Sequence, residues 1–119
     1  MRILIVEDDV EISETLQMSC AQEGHECRTA ATVPSAAALW REWAPDCIVL
    51  DLKLPGDPGT VLVRHVRLTG DRTPIIVISG NLEPRWVKEL QYFGVTAIVA
   101  KPFAPQQLAE LLLALPPRD

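Results

Sequence analysis

Residues 3–9 read Ile3-Leu4-Ile5-Val6-Glu7-Asp8-Asp9. Four aliphatic side chains in a row are too few for a helix and do not alternate with polar ones. That pattern suits a strand buried on both faces, as in a parallel sheet. Carboxylates follow it at once. The same kind of run recurs at Ile48-Val49-Leu50, at Ile75-Ile76-Val77-Ile78 and at Ile98-Val99-Ala100, and a weaker one at residues 26–30 is entered through Gly24. Helical patterns fill the gaps. Residues 10–23 set Ile12, Leu16 and Cys20 on one face, with Asp8 or Asp9 available as the N-cap and Gly24 as the stop. Thr32 precedes Val33-Pro34 and a run from Ser35 to Trp43 that halts before Pro45, a capped helix with proline in its first turn. A third helix is predicted over 59–69, with Leu62 and Val66 four apart, and a fourth over 84–93, closed by Gly94. A fifth is predicted over 105–115, with Leu108, Leu111, Leu112 and Leu115 as its apolar stripe. Five repeats of strand then helix predict an α/β domain, a doubly wound (βα)5 unit with one five-stranded parallel sheet and helices on both faces.

Composition narrows the function. A length of 119 residues fits a single domain over 1–119, with Pro116-Pro117-Arg118-Asp119 as a terminus or the start of a linker. A hydrophobic fraction of 48% supports a true core. The net charge of −5, with no lysine- and arginine-rich run, argues against a nucleic-acid grip, which needs a basic face. No apolar run approaches the roughly 20 residues that span a bilayer, and no signal-peptide core precedes the first strand, so a cytoplasmic location is expected. Cys20, Cys27 and Cys47 form no Cys-x-x-Cys pair and read as small buried hydrophobes in a reducing compartment. His25 and His65 lie far apart in sequence and read as surface or helix-face residues.

In open parallel sheets, ligands bind beyond the C-terminal ends of the strands. The first run ends in Glu7-Asp8-Asp9, the third in Asp51, the fourth in Ser79 and the fifth in Lys101-Pro102. A parallel sheet brings all of them to one edge. Carboxylates held together repel and raise one another's pKa, a conflict that a hard divalent cation removes. Oxygen-only ligands in an incomplete cage favour Mg2+, with Mn2+ able to substitute. The set reads as acids for a metal, one carboxylate as nucleophile, and a lysine and a serine to hold phosphoryl oxygens. Phosphoryl transfer needs little beyond positioning and charge neutralisation.

The segments Ile3–Asp9, Leu50-Asp51-Leu52-Lys53-Leu54-Pro55-Gly56, Ile78-Ser79-Gly80 and Lys101-Pro102-Phe103 resemble, in order, the motifs of response-regulator receiver domains, the CheY-like branch of flavodoxin-like folds. Their spacing, 43 residues from Asp8 to Asp51, 28 to Ser79 and 22 to Lys101, makes the joint signal specific, and the match covers essentially the whole chain. The resemblance implies a phosphoacceptor module of a two-component system or phosphorelay. It takes a phosphoryl group onto Asp51 from phosphohistidine on a histidine kinase or phosphotransfer protein. It implies Mg2+ held by Glu7, Asp8, Asp51 and the backbone carbonyl of Lys53, with Glu7 acting through water. Lys101 pairs with the phosphoryl group, Ser79 is the switch hydroxyl, Gly80 leaves it room, and Pro102 is a candidate for a cis peptide bond. Asp9 reads as a helix cap.

Two positions depart from the family pattern. Ile98 stands where an aromatic side chain is usual, and a β-branched side chain is stiff at χ1. Pro58 stands where an acid is usual. Catalysis is expected to be limited to self-phosphorylation and slow self-dephosphorylation, with Lys53 and Asn81 at the positions that govern water access, in a switch rather than a metabolic enzyme. The resemblance implies output through a downstream protein, a fused domain or a phosphorylation-dependent homodimer at the face of the fourth and fifth helices, to which Arg85 or Trp86 contributes; Trp86 reads equally well as partly buried helix packing. Other readings are a degenerate receiver that binds partners without phosphate and a small nucleotide- or flavin-binding enzyme. The acidic turn Glu7-Asp8-Asp9 argues against the last, since a phosphate cradle needs glycines and open N–H groups.

Overall fold

The structure, a computed structural model, describes residues 1–115, and the expectation of a linker starting at residue 116 falls outside them. The strands are β1 (Arg2–Val6), β2 (Glu26–Ala30), β3 (Cys47–Asp51), β4 (Ile75–Ser79) and β5 (Ala97–Ala100). They alternate with α1 (Val10–Gln22), α2 (Val33–Trp43), α3 (Gly59–Leu68), α4 (Pro84–Tyr92) and α5 (Pro105–Leu113). All strand pairs are parallel, in the order β2-β1-β3-β4-β5.

The unbroken apolar runs now have a cause. Successive side chains of a strand point to opposite faces. Leu4, Val6, Ile48, Leu50, Ile75 and Val77 therefore pack with α2, α3 and α4. Ile3, Ile5, Cys47, Val49, Ile76 and Ile78 pack with α1 and α5. Both faces are covered, so both sets must be apolar. β2 is an edge strand with only Ala30 buried, which accounts for its weaker sequence signal.

The helix starts follow their caps. The Asp9 side chain accepts from the Ile12 N–H at 3.1 Å, and Thr32 and Ser35 form a reciprocal capping box. The last turns of α3 and α5 stop one and two residues short of the predicted ends, where terminal hydrogen bonds give out. On α1, Leu16 and Cys20 are buried as predicted. Ile12 is only half-buried, and Ser13 turns inward. Cys20 and Cys47 are buried, and desolvation pushes both thiols up to about 12, so they are inert. Nδ1 of His25 lies 3.1 Å from the N-terminal amine, and His65 sits edge-on to Trp40.

Ala44 ends α2 in the left-handed region, with φ 50 and ψ 66. A Cβ there costs about 1–2 kcal/mol. Glycine removes that strain but gives back part of it as unfolded-state entropy. Ala44→Gly is expected to stabilise the domain by about 0.5–1 kcal/mol, and an unchanged or lowered urea midpoint would contradict this account.

Candidate functional site

The order reverses between β1 and β3, so the helices that follow these strands leave on opposite faces and open a crevice at the strand ends. Glu7 follows β1 directly, Asp51 closes β3, Ser79 closes β4 and Lys101 follows β5. They border one cleft of about 550 Å³, together with Asp8, Lys53 and Gly80. Glu7, Asp51 and Ser79 are buried, whereas Asp8 is exposed.

Lys101 ties the strand ends together. Its Nζ donates to Glu7 Oε1 at 2.9 Å and to Asp51 Oδ2 at 3.0 Å. The Asp9 N–H donates to Glu7 Oε2 at 3.3 Å, and the Lys53 N–H to Asp51 Oδ1 at 3.2 Å. One carboxylate oxygen from each of Glu7, Asp8 and Asp51 lies within 4.8 Å of the other two. This hard, oxygen-only donor set fits a divalent cation of the Mg2+ type. Ser79 Oγ donates to the Asn81 carbonyl and accepts from the Asn81 N–H, both at 3.2 Å. The Lys101–Pro102 peptide bond is cis.

Two buried acids, Glu7 and Asp51, and one half-buried ammonium, Lys101, form a trio with a net negative charge when both acids are ionised. Burial pushes Glu7 up to about 7, and neighbouring Asp51 adds to the rise while Lys101 opposes it. Burial acts to lower Lys101, but its hydrogen bonds to Glu7 and Asp51 outweigh that and hold its pKa above the ordinary value. For Glu7 the folded pKa lies above the unfolded one, so between about pH 4.5 and 7 the folded state holds the extra proton. Stability of the metal-free domain is therefore expected to fall as pH rises through that window. Urea midpoints in EDTA at pH 5 and 7.5 test this, because Glu7→Gln should flatten the slope; an equal slope in the variant would assign it elsewhere.

The contacts of two site residues were not legible in the sequence. Trp86, in the first turn of α4, forms part of the cleft wall. The sequence marked it only as a residue type favoured at interfaces, not as a wall of the cleft. Gly59 lies where α3 touches the backbone of β3: a Cβ there would sit 2.5 Å from the Asp51 carbonyl oxygen and 2.9 Å from Leu52 Cα. Ile98 packs on the α2–α4 side of the core and does not border the cleft.

Comparison with known proteins agrees with this geometry. The family model described as the response regulator receiver domain matches residues 3–113. The phosphate regulon transcriptional regulatory protein PhoB of Pseudomonas aeruginosa is 33% identical over 116 residues, covering 95% of this chain and 50% of that protein. The response regulator MprA of Mycobacterium avium is 31% identical over 115 residues, covering 97% of this chain and 50% of that protein. The chain thus spans about half the length of these curated relatives. Among solved structures, the non-phosphorylated HemR receiver domain of Leptospira biflexa superposes with TM-score 0.89 at 27% identity, covering 99% and 98% of the two chains. Chemotaxis protein CheY4 of Vibrio cholerae gives TM-score 0.87 at 28% identity, covering 94% and 95%. Among the described residues, no helix is long and apolar enough to cross a membrane.

Proposed function

The chain belongs to the response regulator receiver family of two-component signalling, and from that premise we propose that Asp51 is its phosphoacceptor. The observation that carries this reading is the placement of Asp51: a buried carboxylate at a strand end, 3.0 Å from Lys101 and grouped with Glu7 and Asp8. An Asp51 oxygen attacks the phosphorus of a phosphohistidine. An O–P bond forms as the N–P bond breaks, and the imidazole nitrogen leaves and regains a proton from solvent. Lys101 then has a charged phosphoryl oxygen to pair with in place of one carboxylate. The Ser79 hydroxyl, one strand away, can exchange its two 3.2 Å bonds to Asn81 for one to the phosphoryl group.

Glu7, Asp8, Asp51 and the Lys53 carbonyl would hold Mg2+. When bound, the ion neutralises the acids and the charge on the transferring group. The exposed side chain of Lys53 stands at the cleft mouth, where it would slow hydrolysis of the acyl phosphate. A histidine kinase or phosphotransfer protein as donor, and a separate or fused output domain as receiver of the signal, belong to the same reading.

The test is incubation with acetyl phosphate or phosphoramidate, with and without Mg2+, read by intact mass. A Mg2+-dependent gain of one phosphoryl group is expected. No gain by folded protein at saturating Mg2+ would sink the proposal.

A further inference from the structure

Cys20 on α1, Cys27 on β2 and Cys47 on β3 pack on the α1–α5 face of the sheet. The first two meet. The chain turns back directly after Cys20. The N–H groups of Glu23 and His25 both donate to the Cys20 carbonyl, at 3.2 and 3.1 Å, and Gly24 makes the turn with φ +83. Cys27 then enters β2 against the last turn of α1, where the two thiols share a side-chain hydrogen bond. Burial pushes Cys20 up to about 12, and the facing Cys27 sulfur adds to the rise. Burial also raises Cys27, but the hydrogen bond to Cys20 opposes this. Cys20 is thus the donor, and the thiolate forms on Cys27. The carbonyl end of α1 acts in the same direction, because the negative pole of a helix disfavours an anion in its last turn. Cys27 is half-buried, whereas Cys20 is closed off. Cys47 is out of reach of Cys27. Ile3 pairs with both, so two strand spacings of about 4.8 Å separate them, beyond the roughly 7 Å that a disulfide spans between Cα atoms.

We propose that Cys20 and Cys27 form a site of two-electron thiol oxidation, which a hydroperoxide closes into an intramolecular disulfide pinning the end of α1 to the edge strand β2. Cys27 reacts first. Its thiolate attacks one peroxide oxygen as the O–O bond breaks. The sulfur becomes a sulfenic acid, and the other oxygen leaves and takes up a proton, as water or an alcohol. Cys20 then attacks the Cys27 sulfur. An S–S bond forms, the S–O bond breaks, and the Cys20 proton departs with the oxygen as water. The thiols lose two electrons and two protons in all, and the peroxide takes them up. Burial closes Cys20 to dissolved reagents but not to a sulfur it already touches, where proximity stands in for concentration. β2 is an edge strand with only Ala30 buried, so it is free to follow the shortened sulfur–sulfur distance. The pair does not border the Asp51 cleft and is independent of the phosphoacceptor reading.

The test treats the reduced protein with hydrogen peroxide and follows it by thiol titration, intact mass and tryptic mapping. Titratable thiols are expected to fall from three to one per chain, with a loss of two hydrogens in mass and no link between chains. The tryptic peptide 3–28 carries both Cys20 and Cys27, and Cys47 lies in the peptide 42–53. The link should therefore make 3–28 lighter by two hydrogens and leave Cys47 open to alkylation in denaturant. Cys27→Ser should keep both remaining thiols over the same time. Cys20→Ala should stop at the sulfenic acid, which dimedone traps on Cys27. If Cys20→Ala does not fold, the wild-type peptide map gives the answer without it. A cross-link between 3–28 and 42–53 overturns the inference, as does a dimer joined through Cys27. So does a Cys27→Ser variant that loses thiols as fast as the wild type. A folded wild type that keeps all its thiols at peroxide concentrations that oxidise free cysteine overturns it as well.

Discussion

Asp51→Asn is expected to reduce the Mg2+-dependent phosphoryl gain below detection while leaving the domain folded and slightly more stable. An amide oxygen is not a usable nucleophile toward phosphorus, and no other described carboxylate shares the position of Asp51 between the Lys53 N–H and Lys101. Glu7 reaches Lys101 from the neighbouring strand but accepts from Asp9 rather than from the β3 loop. It is not set to replace the lost group. The stability effect has a separate origin. In the native trio, two buried carboxylates face one ammonium, and the neighbour Asp51 is among the causes that raise Glu7. The substitution brings the trio to neutrality and leaves Glu7 and Lys101 as a simple pair. The asparagine oxygen can still accept from the Lys53 N–H. Relief of one like-charge contact in a partly buried site is worth about 1 kcal/mol. Glu7 should then titrate lower than in the wild type, and the loss of stability between pH 5 and 7.5 should shrink. A variant that takes up phosphoryl at the wild-type level would show that Asp51 is not the acceptor. A lowered urea midpoint at pH 7.5 would show that the wild-type trio is not charge-strained.

What could be read from sequence, and what could not, divides along a physical line. Ile3–Val6, Ile48–Leu50 and Ile75–Ile78 were legible as strands because each is covered on both faces, which demands an unbroken apolar run. Gly24 and Thr32 mark boundaries through backbone geometry and capping, and both act locally. The meeting of Glu7, Asp51, Ser79 and Lys101 was also legible, because parallel strands send all their C-terminal ends to one edge. Their detailed pairing was not. That Lys101 bonds both Glu7 and Asp51 depends on distances set by the packing of three strands. Ala44 adopts a left-handed conformation that alanine does not advertise, and Pro45 announced only that the helix must stop. Trp86 could be read equally as surface or as packing, since its neighbours in sequence do not say which side of α4 faces the cleft. Local signals decided elements, whereas side-chain contacts between elements needed the fold.

Gly59 shows that division most sharply and carries the largest expected loss of stability: Gly59→Ala should lower it by about 2–4 kcal/mol. Its sequence signal was merely a glycine at the start of a helix, where alanine would ordinarily be favoured by about 0.5–1 kcal/mol. Its backbone angles are unexceptional, so conformational freedom is not the reason for it. The reason is space. An added Cβ meets the Asp51 carbonyl oxygen at 2.5 Å, Leu52 Cα at 2.9 Å and Leu50 Cδ1 at 3.2 Å. Only the last is a side-chain atom that can turn away. The Gly59 N–H also donates to the Leu52 carbonyl at 2.8 Å, which pins the two segments together. Relief requires α3 to lift from β3, and α3 carries buried Leu62, Val63 and Val66 with it. The same shift displaces the peptide of Asp51, so phosphoryl uptake should fall alongside stability. Gly80→Ala is the internal control, because a Cβ there meets only Lys101 Cβ, at an ordinary 3.9 Å. Urea unfolding of both variants should separate them by at least about 2 kcal/mol. Equal midpoints would mean that the β3–α3 contact yields more easily than two backbones in van der Waals overlap should allow.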